Sequence, residues 1–385
     1  PIVEGWRDAE GKWCDSGEEV VESMILLMVP PQTRRAQERI ETEIRATLAE
    51  VTSINSDFLP LVQNVRLCAE ELKHSHGKTP KDDLDEAVAF LDWLADGNFV
   101  LFGARRYDFK REAADIVKSD IRQKSSLGLL RDPEVTVLRQ SSEPSIMASN
   151  ADRFVNHGPP VTVAKSNMFT KVHRRVRMDY ISVKHFGKSG KVTGETRYVG
   201  LFTSEAYNRS PHFVPLIRQK VSRVAKRSGW PAGTHNAKRL DYVLSTYPRD
   251  ELFQIDHKDL LRIATGIAQA FDRPRTRLFV RRDRYERFVS VLVYVQQEHY
   301  STRVRERIGE CLKDAFGGRL SAFYPQYSDA PMARVHFIIG MNPDEGLHPD
   351  LEALEAQIAM IAQPWFGGVR RLAEESEDGP TSLSQ

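Results

Sequence analysis

Apolar and polar positions change rhythm several times along the chain, and each change marks an expected element. Residues 2–6, with Ile2, Val3 and Trp6, and residues 23–29 read as strands around a polar turn at 8–12. A hairpin plus one strand is too little sheet to stand alone, so its remaining strands are expected upstream of Pro1. Pro30-Pro31 stops the run and Thr33 is placed to cap a helix, in which Ile40, Ile44, Leu48 and Val51 recur at helical spacing. A second helix is expected over 57–73 and a polar linker over 74–80. A third helix covers 82–96, with Leu84, Val88, Leu91 and Leu94 on one face.

From Asn98 the rhythm shortens to that of strands: 99–103, 135–138, 161–163, 171–184 and 194–202, with a turn at 187–190. Helices return after Pro211. Val214, Ile217, Val221 and Val224 line one face, and further helices are expected over 238–245 and 258–271. The last stretch is the most regular. Strands at 277–281 and 288–295 precede a helix capped by Ser301 and ended by Gly317-Gly318; strands at 320–327 and 333–341 and a helix over 349–362 follow. The order ββαββα is a circular permutation of the ferredoxin-like βαββαβ ring. The fold class is therefore α+β and multidomain, with the segments 1–30, 31–96, 97–205 (β-rich), 206–272 (helical), 273–345 (ferredoxin-like) and 346–385, the last ending in a loose polar tail.

Composition narrows the function classes. A chain of 385 residues exceeds one ordinary core, and 41% hydrophobic residues with 18 Phe, 11 Tyr and 5 Trp exclude wholesale disorder. Lys plus Arg number 55 against 53 Asp plus Glu, so no global field holds a polyanion and no nucleic-acid partner is expected. The longest apolar run, 24–29, is far too short to span a membrane. Cys14, Cys68 and Cys311 lie far apart and outside any CxxC, which favours a reducing cytoplasm, and no secretory leader is visible.

Motifs that carry chemistry are scarce. There is no G-x-G-x-x-G, no Walker A loop, no HExxH and no G-x-S-x-G. His74-x-His76 reads as a solvated linker rather than a metal site. The carboxylates Asp82, Asp83, Asp85 and Glu86 sit where negative charge offsets a helix dipole, and Glu374, Glu375, Glu377 and Asp378 belong to a solvated tail. Ser210 and Pro211 suit the Ncap and N1 positions of a helix. The run Lys171 to Arg177 is more informative. Strand alternation sends His173, Arg175 and Arg177 to one face and Arg174 to the other. That face suits either pairing with acidic residues of a neighbouring domain or a carboxylate or phosphate held by guanidinium groups.

Several long segments carry a family resemblance. Phe90-Leu91-Asp92-Trp93-Leu94-Ala95-Asp96-Gly97-Asn98-Phe99, Gly128-Leu129-Leu130-Arg131-Asp132, the run from Gly200 to Pro211, Thr246-Tyr247-Pro248-Arg249-Asp250-Glu251-Leu252-Phe253 and Arg277-Leu278-Phe279-Val280-Arg281-Arg282-Asp283 resemble, in order, the N-terminal segment of the large bacterial NAD-specific glutamate dehydrogenases. The resemblance spans about residues 85–345 and implies the end of a first ACT-like domain at 1–30, a PAS-like module at 97–205 and a later ACT-like domain at 273–345. The linkers Arg105-Arg106-Tyr107 and Ala164 to Asn167 depart from it.

The resemblance further implies a regulatory and oligomerisation segment without catalytic or NAD-binding residues of its own. The parent would convert L-glutamate to 2-oxoglutarate and ammonia with NAD bound elsewhere. The expected partners are its catalytic domain, other copies of the chain and an amino-acid effector. For that effector, the turn 283–286 and Gly317-Gly318 are the expected close-approach points, since glycine admits a ligand near the backbone. The alternative is a stand-alone amino-acid-sensing or protein-interaction module.

Overall fold

The computed structural model describes residues 25–75, 79–113, 116–122, 124–137, 158–284, 286–327, 331–341 and 347–363, with the backbone of two short strands at 6–7 and 13–14. His76, the acidic cluster at 374–378, Leu138, Tyr285 and the polar tail lie outside them. Two compact units divide near Ala49. In the first, β1 (Trp6–Arg7) pairs antiparallel with β2 (Trp13–Cys14), the expected hairpin. The strand expected over 23–29 is not formed in its described part. Ile25 to Val29 are exposed and without regular structure, with no ladder to take their backbone groups. Helix α1 (Arg34–Ser56) starts where Thr33 Oγ1 accepts from the Ala36 amide at 3.3 Å. Its expected inner face packs only in part: Ile44 and Leu48 are exposed, Ile40 and Val51 half-buried, and Ile54 is its buried residue.

The second unit is built on two sheets. Helices α2 (Phe58–Lys73) and α3 (Lys81–Trp93) precede strand β3 (Phe99–Ala113). Helix α3 ends at Trp93, three residues early, in a wide turn where Gly97 adopts φ 88° and the Asn98 amide side chain donates to Trp93 O at 2.9 Å. The first sheet has the order β4-β3-β8-β7-β6, with β4 (Ile116–Ile121), β6 (Val161–Thr170), β7 (Val176–Phe186) and β8 (Val192–Phe202), and β5 (Leu127–Gly128) beside β3. One face, including Leu101, Ile181, Val183 and Tyr198, packs on α2 and α3. The other, including Phe102, Met178, Tyr180 and Leu201, packs on Leu130, Val137 and Ile54.

The strand expected over 135–138 is absent from its described part, residues 135–137, and the reason is an arginine. Arg105, 1% exposed, donates to the carbonyls of Leu130 (2.6 Å), Asp132 (2.5 Å) and Val135 (3.0 Å), while Ser166 Oγ and the Asn167 amide take Val137 O. Carbonyls spent on a buried guanidinium are not free for a ladder.

Helices α4 (Ser204–Asn208), α5 (Ile217–Arg227), α6 (His235–Thr246), α7 (Arg249–Gln254) and α8 (His257–Ala270) join the two sheets. The expected face Val214, Ile217, Val221 and Val224 is fully buried. Pro211 does open a helical turn at N1, but a 3₁₀ turn of three residues, and Ser210 makes no side-chain cap. Phe90, Trp93, Phe99, Phe202 and Phe253 form one aromatic cluster, with Phe202 and Phe253 stacked at 4.2 Å. Three of the long segments singled out above thus meet in the core, which explains their aromatic content by packing.

The second sheet has the antiparallel order β11-β12-β10-β9, formed by β9 (Arg277–Arg282), β10 (Phe288–Gln296), β11 (Arg319–Gln326) and β12 (Met332–Gly340), with α9 (Thr302–Phe316) and α10 (Leu351–Ile361) between and after them. This is the permuted ferredoxin-like ring that the sequence predicts, and the chain as a whole is α+β. Ser301 Oγ accepts from the Val304 amide as expected. Val289, Val291, Val293, Val295, Val335, Phe337 and Ile339 pack under α9 and α10. The alternate positions Phe279, Leu292, Tyr294 and Met332 turn the other way and join the core of α5 to α8.

Candidate functional site

That second face of the four-stranded sheet is only partly apolar. Register puts Ser290 opposite Arg281 on one side and Ile338 on the other, and Leu292 opposite His336. Helix α7 presents Asp250 and Glu251 from its first turn toward these groups, where negative charge also suits the helix dipole. Glu251, 2% exposed, accepts Arg281 Nε at 2.6 Å and Nη2 at 2.8 Å. Burial works to raise the Glu251 pKa, and the Arg281 guanidinium outweighs it and holds the carboxyl below the usual range. His336 Nε2 shares a hydrogen bond with Ser290 Oγ at 2.8 Å and lies 3.9 Å from Glu251; burial lowers its pKa.

A second network ties α7 to the first sheet. Lys165 Nζ of β6 lies 2.6 Å from Asp179 Oδ1 of β7 and 3.1 Å from Asp250 Oδ1, and Tyr207 donates to Asp250 Oδ1 at 2.6 Å. Burial opposes the Lys165 ammonium, but Asp250 and Asp179 together raise its pKa above the ordinary lysine value. Arg287, paired with Asp283 at 2.8 Å, donates to Lys165 O. Both carboxylates of α7 are therefore already paired, Asp250 with Lys165, which it shares with Asp179, and Glu251 with Arg281.

Between these networks lies a cleft of about 820 Å³, floored by α7, walled on one side by β6 and the start of β7 and on the other by β11 and β12. Its lining is rich in arginine: Arg174, Arg175, Arg177, Arg249, Arg319 and Arg334, besides Arg287. Arg249 donates to the carbonyls of Tyr207 (3.3 Å) and Arg209 (2.6 Å), and Arg334 to Thr246 O (2.7 Å) and Gln326 Oε1. Among the described residues neither meets a carboxylate. Arg249 Nη1, Arg334 Nε and Gln254 Oε1, all in residues of the lining, are buried without a hydrogen-bond partner. Burial alone lowers the Arg249 pKa.

The expected basic face is only half assembled. Residues 172–175 are a succession of bends, not strand: they belong to the connection between β6 and β7, whose ladder closes at Thr170 opposite Val176, and His173 takes φ 63° within it. His173 leaves the set and stacks on Phe102, ring centroids 5.9 Å apart. Arg175 and Arg177 do reach the cleft, Arg177 over the Phe169 ring at 4.5 Å and donating to Asn167 O. Arg174, expected on the opposite face, joins them and donates to Phe202 O at 3.1 Å. Gly317 and Gly318 are placed at the end of α9, and their amides donate to Asp314 O and Lys313 O. Gly317 holds φ 64°, and a Cβ on Gly318 would meet Gly340 O at 2.7 Å, so both serve the connection and offer no amide to a ligand. Sequence reading missed Lys165, Arg249, Gln254, Arg319 and Arg334; the segment containing Arg249 was singled out only as a resemblance.

Other candidates resolve into structure. His74 Nδ1 lies 2.9 Å from Glu70 O, and no group of metal-ligating side chains forms among the described residues. The basic helix α5 meets the acidic start of α3: Arg218 pairs with Glu86 at 2.8 Å and Arg223 with Asp83. Glu71, His185 and Thr196 align like a catalytic relay, with His185 Nδ1 2.6 Å from Glu71 and Nε2 2.7 Å from Thr196 Oγ1. Thr196, however, is 2% exposed and no substrate reaches it.

Residues 214–273 match the glutamate dehydrogenase helical motif 1, and residues 277–366 match the glutamate dehydrogenase ACT2 domain. The chain is 33% identical over 349 residues, 90% of its length, to the NAD-specific glutamate dehydrogenase of Halomonas elongata. The chain is thus a relative of one segment of the NAD-specific glutamate dehydrogenases. Identity is 32% over 88% of the chain to the Pseudomonas aeruginosa protein of that name and 27% over 84% to that of Mycobacterium tuberculosis. These matches cover 22%, 21% and 19% of the respective proteins, so the chain spans about a fifth of the length of the curated relatives it matches. Among the described residues no helix is long and apolar enough to cross a membrane.

Proposed function

We propose that this chain is the non-catalytic, regulatory and assembly segment of an NAD-dependent glutamate dehydrogenase. The parent enzyme converts L-glutamate to 2-oxoglutarate and ammonia while reducing NAD, with the cofactor bound outside this chain and the whole in the cytoplasm. The carrying observation is the pairing of a family match to helical motif 1 and the ACT2 domain with a permuted ferredoxin-like sheet, in a sequence without a dinucleotide fingerprint. In this reading the six-stranded sheet is the PAS-like module at 97–205, residues 273–345 the ACT-like domain, 31–96 and 206–272 the helical motifs, and 1–30 the end of an earlier ACT-like domain. Its partners are the catalytic part of the same enzyme and other copies of the chain. The arginine-lined cleft favours one further role, that of sensing a small effector, which the chain would retain as a stand-alone amino-acid-binding or interaction module.

The test is direct. The 385-residue chain, incubated with glutamate and NAD, is expected to form no NADH, whereas the enzyme carrying it forms NADH at once. Turnover by the chain alone would sink the reading. Light scattering over a concentration series is expected to show self-association or binding to the catalytic part; a strictly monomeric chain with neither property removes the assembly role.

A further inference from the structure

A buried guanidinium N–H without an acceptor is destabilising, and each one calls for an explanation in the structure around it. Arg249 Nη1 and Arg334 Nε are such groups, closed to solvent themselves, in two arginines that line the same 820 Å³ space from different elements, α7 and β12. The remaining N–H groups of both arginines with assigned bonds go to neutral oxygens, which fixes the guanidinium planes without neutralising them. The acidic side chains that line the cleft, Asp250 and Glu251, are committed to Lys165 and Arg281. Arg175 and Arg319 stand exposed at the rim with no partner among the described residues. A chain whose overall charge is only +2 thus concentrates unneutralised cations in one concave, preformed place.

We propose that this cleft binds a small organic or inorganic anion carrying at least two carboxylate or phosphate groups, with Arg249 and Arg334 gripping the inner group and Arg175 and Arg319 the outer one. Fixed, planar donors match carboxylate and phosphate oxygens bidentately, which lysines in their place would not do. Phe169, Phe288 and Ile338 give the space apolar walls for a carbon body between the two charges. The site stands whether or not the chain serves a dehydrogenase, because binding is read on the chain itself.

Isothermal titration of the 385-residue chain in low-chloride buffer tests it, with glutarate as the dicarboxylate arm, inorganic pyrophosphate as the phosphate arm, and sodium chloride at matched ionic strength as control. Binding of one arm, with a rise in Tm that chloride does not give, is expected, and the arm that binds names the ligand class. Arg334→Gln and Arg249→Lys are each expected to weaken it at least tenfold, the second because it keeps the charge and loses the fork. Arg227→Gln, on the solvent side of α5, leaves it unchanged. If either inner variant fails to fold, Arg175→Gln with Arg319→Gln at the exposed rim is expected to weaken binding and flatten its salt dependence. No heat and no Tm shift with either anion overturns the proposal, as does equal affinity in the folded variants.

Discussion

The two faces of the four-stranded sheet are made from the same strands and behave as different materials. Under α9 and α10 the sheet shows a dry layer of valine, isoleucine and phenylalanine, from Val289 to Ile339, with nothing to satisfy but shape. The opposite face alternates Phe279, Leu292 and Tyr294 with Arg281, Ser290, Arg334 and His336, all needing partners. The dry face holds the domain together by area removed from water. The polar face repays little of its desolvation cost, since a buried ion pair often gives no more stability than apolar residues of the same shape. Polar groups retained at that cost, with Arg334 Nε left unsatisfied among them, set this face apart from the dry one.

Four measurements break or sharpen this contrast. Phe337→Ala, on the dry face, removes a fully buried ring and is expected to cost about 4 kcal/mol in urea unfolding, as large buried aromatics do. A cost under 1 kcal/mol would mean that this face is not the domain's core. On the polar face, Glu251→Gln leaves the Arg281 guanidinium buried beside a neutral amide, at about 3 kcal/mol. Glu251→Leu combined with Arg281→Met should recover most of that loss; if the double variant is as unstable as the single one, the pair does more than neutralise itself. Ser301→Ala touches only the start of α9 and is expected to cost about 1 kcal/mol, read by the same unfolding curves.

The smallest effect is a dependence on pH confined to the polar face. Burial lowers the His336 pKa, with Glu251 and Asp250 opposing and Arg334 and Arg281 assisting. The unfolded chain therefore takes up a proton first, and this contribution to stability is complete above about pH 6.5, the ordinary imidazole value, and declines as pH falls below it. Tm profiles from pH 8 to 5 should fall more steeply for the wild-type chain than for His336→Phe. Superimposable slopes would show that His336 titrates as it does in water.

Local chemistry was enough to read much of this protein. Period-two runs, the Ser301 hydroxyl three residues before Val304 and the glycine pair after Phe316 each act within one turn or strand, so the ββαββα order, the cap and the inner face of α5 follow from neighbours in sequence. The same local rules misled wherever a distant group intervened. Val135 to Val137 has strand composition, but the buried Arg105 claims the Val135 carbonyl and Ser166 the Val137 carbonyl. The run from Lys171 has the alternation of a strand, but it is where the chain reverses between β6 and β7, and His173 takes a positive φ there with its ring on Phe102. The cleft itself belongs wholly to tertiary structure. Lys165, Asp179 and Asp250 come from two strands and a helix, and Arg249 and Arg334 are 85 positions apart. Which cations are neutralised and which remain unsatisfied depends on distances of a few ångströms across packed elements, and no periodicity along a chain encodes those.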